Sequence, residues 1–397
     1  MKSAKAASPS GGRTIGRNLL LVTCLCILAS CAGGRPVVPS AATGWDFPVT
    51  PDHGASALPG ATLPCGFPKH SKGHNASCPV AINVKVPALR NPHEPVAKIP
   101  GLHPDALQQA YGFPFGAMGM TVAIVVAYDD RRAEKDLARY RDEFGLGECS
   151  TQNGCFHQVN QRGETKKFPH FDKAWAQEVS LDLDMVSAVC PRCPLLVVDA
   201  DSASIDDLGA SVDTAVRLGA RVVSNSYYAD EWSGEASEDA HYHHPGVAIT
   251  VSAGDRAQPY YPAASPYVTS VGGLTVTASG SAWNESAWQY GGQGCSRFEP
   301  RPSFQPDLCS SMRSTVDVAM VADPQTGVTM FSTQNGGWVV AGGTSVGAPI
   351  LAAAYALSGH PAGPAFAYAN PGDFRDVSPA GFDVATGLGS PVGVAGL

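Results

Sequence analysis

The strongest constraint on the fold is a series of short apolar segments that alternate with helical ones. Residues 121–127, Thr-Val-Ala-Ile-Val-Val-Ala, form a near-continuous β-branched run, which is typical of a parallel strand buried on both faces. Further strands are predicted at residues 195–198, 221–226, 247–252 and 267–271, and helices at residues 136–144, 175–189 and 205–218. This alternation predicts an α/β protein with a parallel β-sheet flanked by helices on both faces. Such sheets bind ligands at the carboxyl ends of their strands.

The first 99 residues differ in composition from the rest of the chain. Residues 1–31 start with several basic side chains and continue with a short apolar run at 19–29, so we interpret them as an export signal. That run is shorter than an ordinary membrane span of ~20 residues. Residues 32–99 are rich in Pro, Gly, Ser and His and show little periodicity, which predicts a linker or short pro-segment. Residues 100–397 form the predicted main domain.

The export signal ends in a sequence that bears on location. Leu28-Ala-Ser-Cys31 resembles a bacterial lipobox, in which the cysteine receives a lipid and becomes the new N-terminus. An ordinary cleaved signal with an incidental cysteine is the alternative. Both interpretations predict an extracellular or cell-surface protein, and a lipid on Cys31 would be its membrane anchor.

Eight cysteines follow the three in the signal, and they support export. They fall into pairs that are close in sequence: Cys65/Cys78, Cys149/Cys155, Cys190/Cys193 and Cys295/Cys309. An even set in an exported chain indicates a disulfide framework, although eight cysteines allow 105 connectivities. Cys190-Pro-Arg-Cys193 could instead be a redox or zinc pair. We favour a local disulfide, because the sequence has no second Cys-x-x-Cys to complete a zinc site.

A glycine-rich turn near the C-terminus carries the candidate nucleophile. Its sequence, Gly342-Gly-Thr-Ser-Val-Gly-Ala-Pro349, places Ser345 just before a helical run at 350–357. Glycines let a sharp turn expose a hydroxyl, and a helix N-terminus puts partial positive charge beside it. A glycine turn whose serine only caps the helix is the alternative.

Two carboxylates on one predicted helix are the candidate base. Glu178 and Asp182 lie one turn apart in the helix at 175–189, so they project from the same face among largely apolar neighbours. Two close, half-buried carboxylates resist double ionisation, which raises one pKa and lets a proton be shared. A carboxylate of this kind can take the proton of Ser345 at acidic pH, where a histidine would be charged. A solvated acidic helix face is the alternative, and Asp184 is assigned no role.

A third acid follows the strand predicted at 247–252. Asp255 ends the sequence Val-Ser-Ala-Gly-Asp, at the edge of the sheet where ligands bind. When it is protonated, this side chain can donate a hydrogen bond to a developing oxyanion. An ordinary aspartate in a loop after a strand is the alternative.

In this order, the three motifs resemble those of the sedolisin family, the serine-carboxyl peptidases. Members carry a Glu-x-x-x-Asp helix, an Ala-Gly-Asp loop and a Ser-Gly-Thr-Ser-x-x-x-Pro turn, and the likeness extends from about residue 102 to the end. The resemblance implies a subtilisin-like fold. It also implies that Ser345 is the nucleophile and Glu178 the general base. Asp182 would then orient Glu178, and Asp255 would be the oxyanion donor.

The resemblance has three further implications. It places Ser224-Asn-Ser-Tyr227 at the substrate-binding edge, with Tyr228 where a glycine is usual, so the specificity pocket should be unusual. Arg256 follows Asp255 in place of a serine, and a nearby cation favours an ionised carboxylate. Residues 32–99 lack the patterning of the large folded pro-domain that the family carries.

Members of the family also have a C-terminal calcium site. The matching residues here are Asp376, Val377, Gly381 and Asp383. Two carboxylates and backbone carbonyls are suitable ligands for a hard cation. The loop between them is much shorter than in typical members, and Pro379 replaces its first glycine, so a simple structural turn is the alternative.

We therefore expect an exported or surface-anchored endopeptidase that hydrolyses proteins or peptides at acidic pH through an acyl-enzyme on Ser345. Release of tripeptides from chain ends is the alternative within catalysis. A surface lipoprotein that binds peptides without cleaving them is an alternative from another class. An ordinary α/β esterase is disfavoured, because the sequence shows no evident catalytic histidine. The net charge of −8 at pH 7 argues against a nucleic-acid partner.

Overall fold

A computed structural model describes residues 58–68, 74–89, 95, 98–280, 282–377 and 381–397. These residues belong to one compact unit, Gly54–Leu397. The predicted export signal and the cysteine of the lipobox lie outside the described residues. Among the residues that are described, no helix is both long enough and apolar enough to cross a membrane.

The strands are β1 Ala61–Thr62, β2 Ala81–Asn83, β3 Val122–Ala127, β4 Phe156–Asn160, β5 Leu195–Ala200, β6 Val222–Asn225, β7 Ala229–Asp230, β8 Ala248–Ser252, β9 Tyr260–Tyr261, β10 Thr269–Ser279, β11 Ala282–Ala287, β12 Cys295–Pro300, β13 Met312–Ser314, β14 Val318–Val321, β15 Val328–Ser332, β16 Gly337–Gly342, β17 Phe374–Arg375 and β18 Ser390–Pro391. The α-helices are α1 Pro104–Tyr111, α2 Ala133–Glu143, α3 Lys173–Val189, α4 Ile205–Arg217, α5 Gly347–Ser358 and α6 Pro364–Ala369. Short 3₁₀ helices cover Glu235–His241, Thr333–Asn335 and Pro371–Asp373.

The centre of the fold is an eight-stranded sheet. Its main order is β11-β10-β8-β6-β3-β5-β4, and β14 also pairs with β10. Every pairing except that of β10 with β11 is parallel. Strands β3 and β5 are buried along their whole length, as expected for strands covered on both faces. Helices α3, α4 and α5 pack against the sheet. The predicted α/β class with a flanked parallel sheet is confirmed.

A second, antiparallel sheet brings the N-terminal part of the unit to the main domain. Its order is β1-β2-β16-β15, with Ala81 opposite Gly342 and Ile82 opposite Ala341. Part of the segment predicted as a linker, residues 32–99, is therefore packed into the folded unit, and the boundary at residue 100 does not separate two bodies. Strands of two or three residues have no measurable hydrophobic period, so the sequence pattern could not reveal them.

The two helices that carry the site are secured by local sequence. Helix α3 begins after Asp172, whose side chain accepts hydrogen bonds from the amides of Ala174 (2.8 Å) and Trp175 (3.0 Å). Most of α3 is buried on every side, which holds its polar residues inside the protein. Helix α5 is apolar along its length and ends at Gly359, whose φ is +74°.

All four close cysteine pairs form disulfides: Cys65–Cys78, Cys149–Cys155, Cys190–Cys193 and Cys295–Cys309. The structure selects this pairing from the connectivities that the sequence left open. Cys190–Cys193 is the predicted local staple rather than a metal pair. Both of its cysteines are buried behind the C-terminal end of α3.

Candidate active site

The turn between β16 and α5 positions Ser345 at the start of a helix. Gly343 has a φ of +95°, which favours glycine. A Cβ at this position would overlap the carbonyl oxygen of Pro79 and lie 2.7 Å from Oδ2 of Asp255. Glycine is therefore required by both the backbone conformation and the space. Ser345 follows two residues later, where the helix N-terminus supplies partial positive charge.

Helix α3 brings Glu178 and Asp182 into the protein interior, where both are fully buried. Ser226 donates a hydrogen bond of 2.6 Å to Oδ1 of Asp182. The second oxygen of Asp182 and both oxygens of Glu178 have no well-aligned hydrogen-bond partner among the described residues. The predicted helical spacing is confirmed. The alternative of a solvated acidic face is wrong, because the whole length of α3 packs inside the fold.

Burial shifts the acidity of this pair strongly. Removal from water is the main reason why the pKa of Glu178 lies well above its usual range, and the negative charge of Asp182 raises this pKa further. Removal from water also raises the pKa of Asp182, and the hydrogen bond from Ser226 partly offsets the rise. Two such carboxyls are expected to share a proton and titrate as a pair.

Two groups next to Glu178 partly lower its pKa. They are the hydroxyl of Ser345 and the backbone N–H of Val80. Neither forms a well-aligned hydrogen bond with Glu178, but both face its carboxyl group. The structure thus brings the predicted nucleophile and the predicted base together, and it adds a peptide N–H at the same place.

Asp255 follows β8 and contacts the nucleophile turn. Its Oδ1 accepts hydrogen bonds from the backbone N–H of Thr344 (2.8 Å) and from the Thr344 hydroxyl (3.0 Å). Its Oδ2 has no partner among the described side chains and main-chain groups. Burial raises the pKa of Asp255 to about 7, and the two bonds from Thr344 limit the rise. Below that pH the carboxyl is protonated and can donate a hydrogen bond.

The expectation that Arg256 keeps Asp255 ionised is wrong. The guanidinium of Arg256 stacks on the ring of Phe67, with its carbon 3.6 Å from the ring centroid. Burial, and not this cation, determines the pKa of Asp255. Residues 255–258 form bends, and the Arg256 side chain is directed to Phe67, so sequence proximity was misleading.

Three residues beside the site make supporting contacts that the sequence analysis did not predict. Ser226 orients Asp182, and Thr344 orients Asp255 while accepting a bond of 2.9 Å from the amide of Gly254. Tyr228 is fully buried, and its ring packs edge-on against Tyr260 at a centroid distance of 4.6 Å. All three lie inside or directly beside the quoted motifs. The sequence signal that could have identified them is a hydroxyl-bearing residue inside or next to a motif.

The residues predicted for calcium lie in a C-terminal loop that the structure describes only in part. Oδ1 of Asp383 accepts hydrogen bonds from the amides of Ala385 (2.7 Å) and Thr386 (3.0 Å), and Oδ2 accepts one from the Thr386 hydroxyl (2.5 Å). Asp376 is exposed. Residues 378–380 of the loop lie outside the described chain. Within the described ranges, no group of three or more His, Cys, Asp or Glu side chains is placed to hold a metal ion. Calcium binding by Asp376, Val377, Gly381 and Asp383 stays a prediction.

The fold and the site together define a class of protein. The fold is a subtilisin-like α/β unit, and its serine faces buried carboxyl groups, the arrangement for which serine-carboxyl peptidases are named. The model of the subtilase family, peptidase S8, matches residues 172–372, half of the chain. The chain belongs to that family, and the resemblance to its sedolisin branch is confirmed.

Individual relatives agree with this placement. Kumamolisin from Bacillus sp. (strain MN-32) is 29% identical over 349 residues, which cover 72% of this chain and 61% of kumamolisin. Xanthomonalisin from Xanthomonas sp. (strain T-22) is 33% identical over 115 residues, 24% of this chain and 14% of the relative. The chain thus spans less than two thirds of the relatives it matches.

A solved structure shares the fold. Pseudomonas sedolisin, a serine-carboxyl proteinase complexed with two molecules of pseudo-iodotyrostatin, superposes with a TM-score of 0.63 at 22% identity. The superposition covers 74% of this chain and 96% of that one.

Proposed function

We propose that the protein is a serine-carboxyl endopeptidase that hydrolyses protein or peptide substrates at acidic pH. The observation that carries the proposal is the meeting of Ser345, the Glu178–Asp182 pair and the unpartnered Oδ2 of Asp255 at one buried place. A nucleophile, a base with a raised pKa and an oxyanion donor are the three groups that acyl transfer requires.

The first step forms an acyl-enzyme. Glu178 removes the proton of Ser345 as Oγ attacks the peptide carbonyl carbon, and Asp182 stabilises the protonated pair. Protonated Asp255 donates a hydrogen bond from Oδ2 to the oxyanion. Glu178 then gives its proton to the leaving amine, and the C–N bond breaks. In the second step a water molecule attacks the ester carbonyl carbon while Glu178 takes one of its protons. Glu178 then returns that proton to Oγ of Ser345 as the ester bond breaks.

The acidity of Asp255 supports an acidic working range. Its pKa of about 7 means that the donor form dominates below that pH and is lost above it. The Glu178–Asp182 pair is active when it holds a single proton, since Glu178 must accept one and Asp182 must stabilise it. We therefore expect the rate to fall on the alkaline side as Asp255 ionises.

We also propose that the protein works outside the cytoplasm. Four disulfides within the described residues are typical of chains that fold in an oxidising compartment. The basic and apolar start of the sequence supports the same location, and a lipid on Cys31 would hold the protein at the cell surface.

The test is hydrolysis of a denatured protein from pH 2 to 8 by wild type and by Ser345→Ala. We expect activity on the acid side in wild type and none in the variant. Retained proteolysis in Ser345→Ala would refute the assignment of Ser345. Mass spectrometry of the products from a long peptide distinguishes the modes of cleavage. Internal cuts indicate an endopeptidase, successive tripeptides an exopeptidase, and intact peptide that stays bound a non-catalytic binding protein.

A further inference from the structure

The segment at residues 75–83 shows how an extended peptide lies in the site. Ser77 and Tyr228 form an antiparallel bridge and exchange two backbone hydrogen bonds, of 2.9 Å and 3.0 Å. Four residues further on, Ala81 pairs with Gly342. Main-chain pairing of an extended chain with strand edges is a common mode of peptide recognition. The contacts of this segment therefore indicate where the residues of a peptide substrate would be placed.

The peptide bond after Pro79 lies at the position of a bond to be cleaved. The carbonyl oxygen of Pro79 lies against Gly343, next to Oδ2 of Asp255, which has no partner among the described residues. The backbone N–H of Val80 faces Glu178. Pro79 thus occupies the place of the residue whose carbonyl group a peptidase attacks, which is called the P1 position.

The side chain of Pro79 projects to the same face as that of Tyr228. Directly opposed residues of an antiparallel pair, such as Ser77 and Tyr228, have their side chains on one face. The residue two positions further along an extended chain returns to that face. Cys78 lies between the two and points away, since its Sγ is 4.0 Å from the carbonyl oxygen of Ala174 in α3. Pro79 and Tyr228 are then diagonal neighbours, at a separation that an aromatic side chain can span.

Two tyrosine rings already fill the space on this face. Tyr228 and Tyr260 are both buried, and their rings pack edge-on at a centroid distance of 4.6 Å. Both rings also cover Gly254, where an added Cβ would lie 2.5 Å from Cδ2 of Tyr260 and 3.2 Å from Cδ2 of Tyr228. Strand β7 begins directly after Tyr228 and pairs with β9, which contains Tyr260, so the sheet holds the rings together. Pro79 is buried too, so the P1 position is enclosed around a small side chain.

We propose that Tyr228 determines the specificity of the site by limiting P1 to residues no larger than proline, such as glycine, alanine and serine. The inference rests on the proposed function, because P1 is defined only for a chain that cleaves peptides. It goes further by naming the substrate class and the residue that selects it. Tyr228 stands where a glycine is usual in the sedolisin pattern, and a glycine would leave the volume of the ring to the substrate. A leucine or phenylalanine at P1 would overlap the ring.

The test compares two peptides that differ only at P1, with alanine in one and phenylalanine in the other, at pH 4. Mass spectrometry of the products identifies the bond that is cut. We expect the full wild-type chain to hydrolyse the alanine peptide with a kcat/KM about 100-fold higher, and Tyr228→Ala to lower this ratio by about tenfold or more. Tyr228→Phe keeps the ring and loses only a hydroxyl that has no partner among the described residues, so its ratio should stay near the wild-type value.

A matched control separates specificity from a general loss of packing. Tyr140 on α2 is also fully buried, and its hydroxyl also lacks a partner in the described part of the chain. Tyr140→Ala should lower the temperature of unfolding, as Tyr228→Ala should, but it should keep the wild-type ratio of kcat/KM for the two peptides. An unchanged ratio in folded Tyr228→Ala, or an equal fall in Tyr140→Ala, would refute the inference.

Digestion of a denatured protein by the wild-type chain tests the inference without any variant. The residues that precede the cuts should be glycine, alanine, serine or proline. Frequent cuts after leucine or phenylalanine would refute the inference and leave the proposed function intact. A wild-type chain that hydrolyses neither the denatured protein nor either peptide would refute the proposed function, and the inference with it.

Discussion

Two of the clusters of buried acids in the described part of the fold differ in what surrounds their oxygens. The first, which we propose to be catalytic, consists of Glu178, Asp182 and Asp255. All three are fully buried, yet four of their six carboxyl oxygens have no well-aligned partner among the described residues. Glu178 and Oδ2 of Asp255 lie near the peptide bond between Pro79 and Val80 instead. Buried polar atoms without hydrogen-bond partners lower the stability of the folded state, and such atoms are typical of functional sites.

The second acid cluster consists of Glu231, Glu235, Asp239 and Glu299. Only Oε1 of Glu235 and Oε1 of Glu299, two of its eight carboxyl oxygens, are buried without a well-aligned partner among the described residues. The Ser296 hydroxyl donates to Glu231, the amide of Trp232 donates to Glu235 (2.8 Å), and the Tyr261 hydroxyl donates to Asp239 (3.1 Å). The carboxyl of Glu235 packs against that of Glu231, and the carboxyl of Glu299 against that of Asp239.

Burial raises pKa values in both clusters, so a raised pKa does not by itself identify a catalytic acid. Burial and then the charge of Glu231 raise the pKa of Glu235 to about 9, higher than the value of about 7 for Asp255. The difference lies in the contacts. Carboxyls that bond to one another and to the fold stabilise the protein, whereas those that face a peptide bond can act on it.

The largest effect on catalysis is expected for Glu178→Gln, which removes the proposed base. The amide cannot accept the proton of Ser345, so kcat/KM at pH 4 should fall by about 10²- to 10⁴-fold. Asp184 is a matched control, because it is a buried acid on the same helix, and its Oδ2 accepts a 2.8 Å bond from the amide of Phe331. Asp184→Asn should affect thermal stability more than turnover. Equal losses of kcat/KM in the two variants would show that α3 contributes only structure.

Removing the oxyanion donor should have the next largest effect. Asp255→Ala leaves Thr344 without its partner and the oxyanion without a donor, so kcat should fall by about 10²- to 10³-fold with a smaller change in KM. The measurement is steady-state kinetics on a peptide substrate, using protein whose N-terminus has been sequenced. A change confined to KM would assign Asp255 to substrate binding.

Substitutions in the second acid cluster should change the free energy of unfolding and leave turnover unchanged. Since the folded pKa of Glu235 lies above its ordinary value of 4.5, its contribution is complete below about pH 4.5 and is lost as pH rises through about 9. In Glu235→Gln the amide resembles the protonated acid, so thermal unfolding should depend less on pH in this window. Each kcal/mol shifts Tm by roughly 2–4 °C in a protein of this size. An unchanged pH dependence of Tm, or a large loss of kcat, would contradict this role.

The smallest effect is expected for Arg256→Ala. Its guanidinium stacks on Phe67 and does not determine the pKa of Asp255. The alkaline limb of the pH–rate profile should therefore stay in place, and kcat/KM should change by no more than about twofold. A shift of that limb to higher pH would show that the cation does act on Asp255.

Local sequence predicted much of the site, but it did not predict that residues 75–83 pack against the site. The four-residue spacing of Glu178 and Asp182 fixes their common face, and the glycine turn fixes Ser345, because both depend on nearby residues. The segment at residues 75–83 was predicted to be part of a linker or short pro-segment. Its pairing with Tyr228 and β16 joins residues about 150 and 260 positions apart, and such pairing depends on backbone groups that every residue has. The contact of Thr344 with Asp255 was missed because it joins residues 89 positions apart, which no local pattern brings together.

The most direct test of the central claim, that buried carboxyl groups perform the chemistry at Ser345, is the pH profile of kcat/KM for wild type and Asp255→Asn. The amide of asparagine donates a hydrogen bond at every pH, whereas Asp255 donates only below its pKa of about 7. The account predicts an alkaline limb near that pH in wild type, and the loss or displacement of that limb in the variant with activity retained at acidic pH. An identical alkaline limb in both proteins would contradict it.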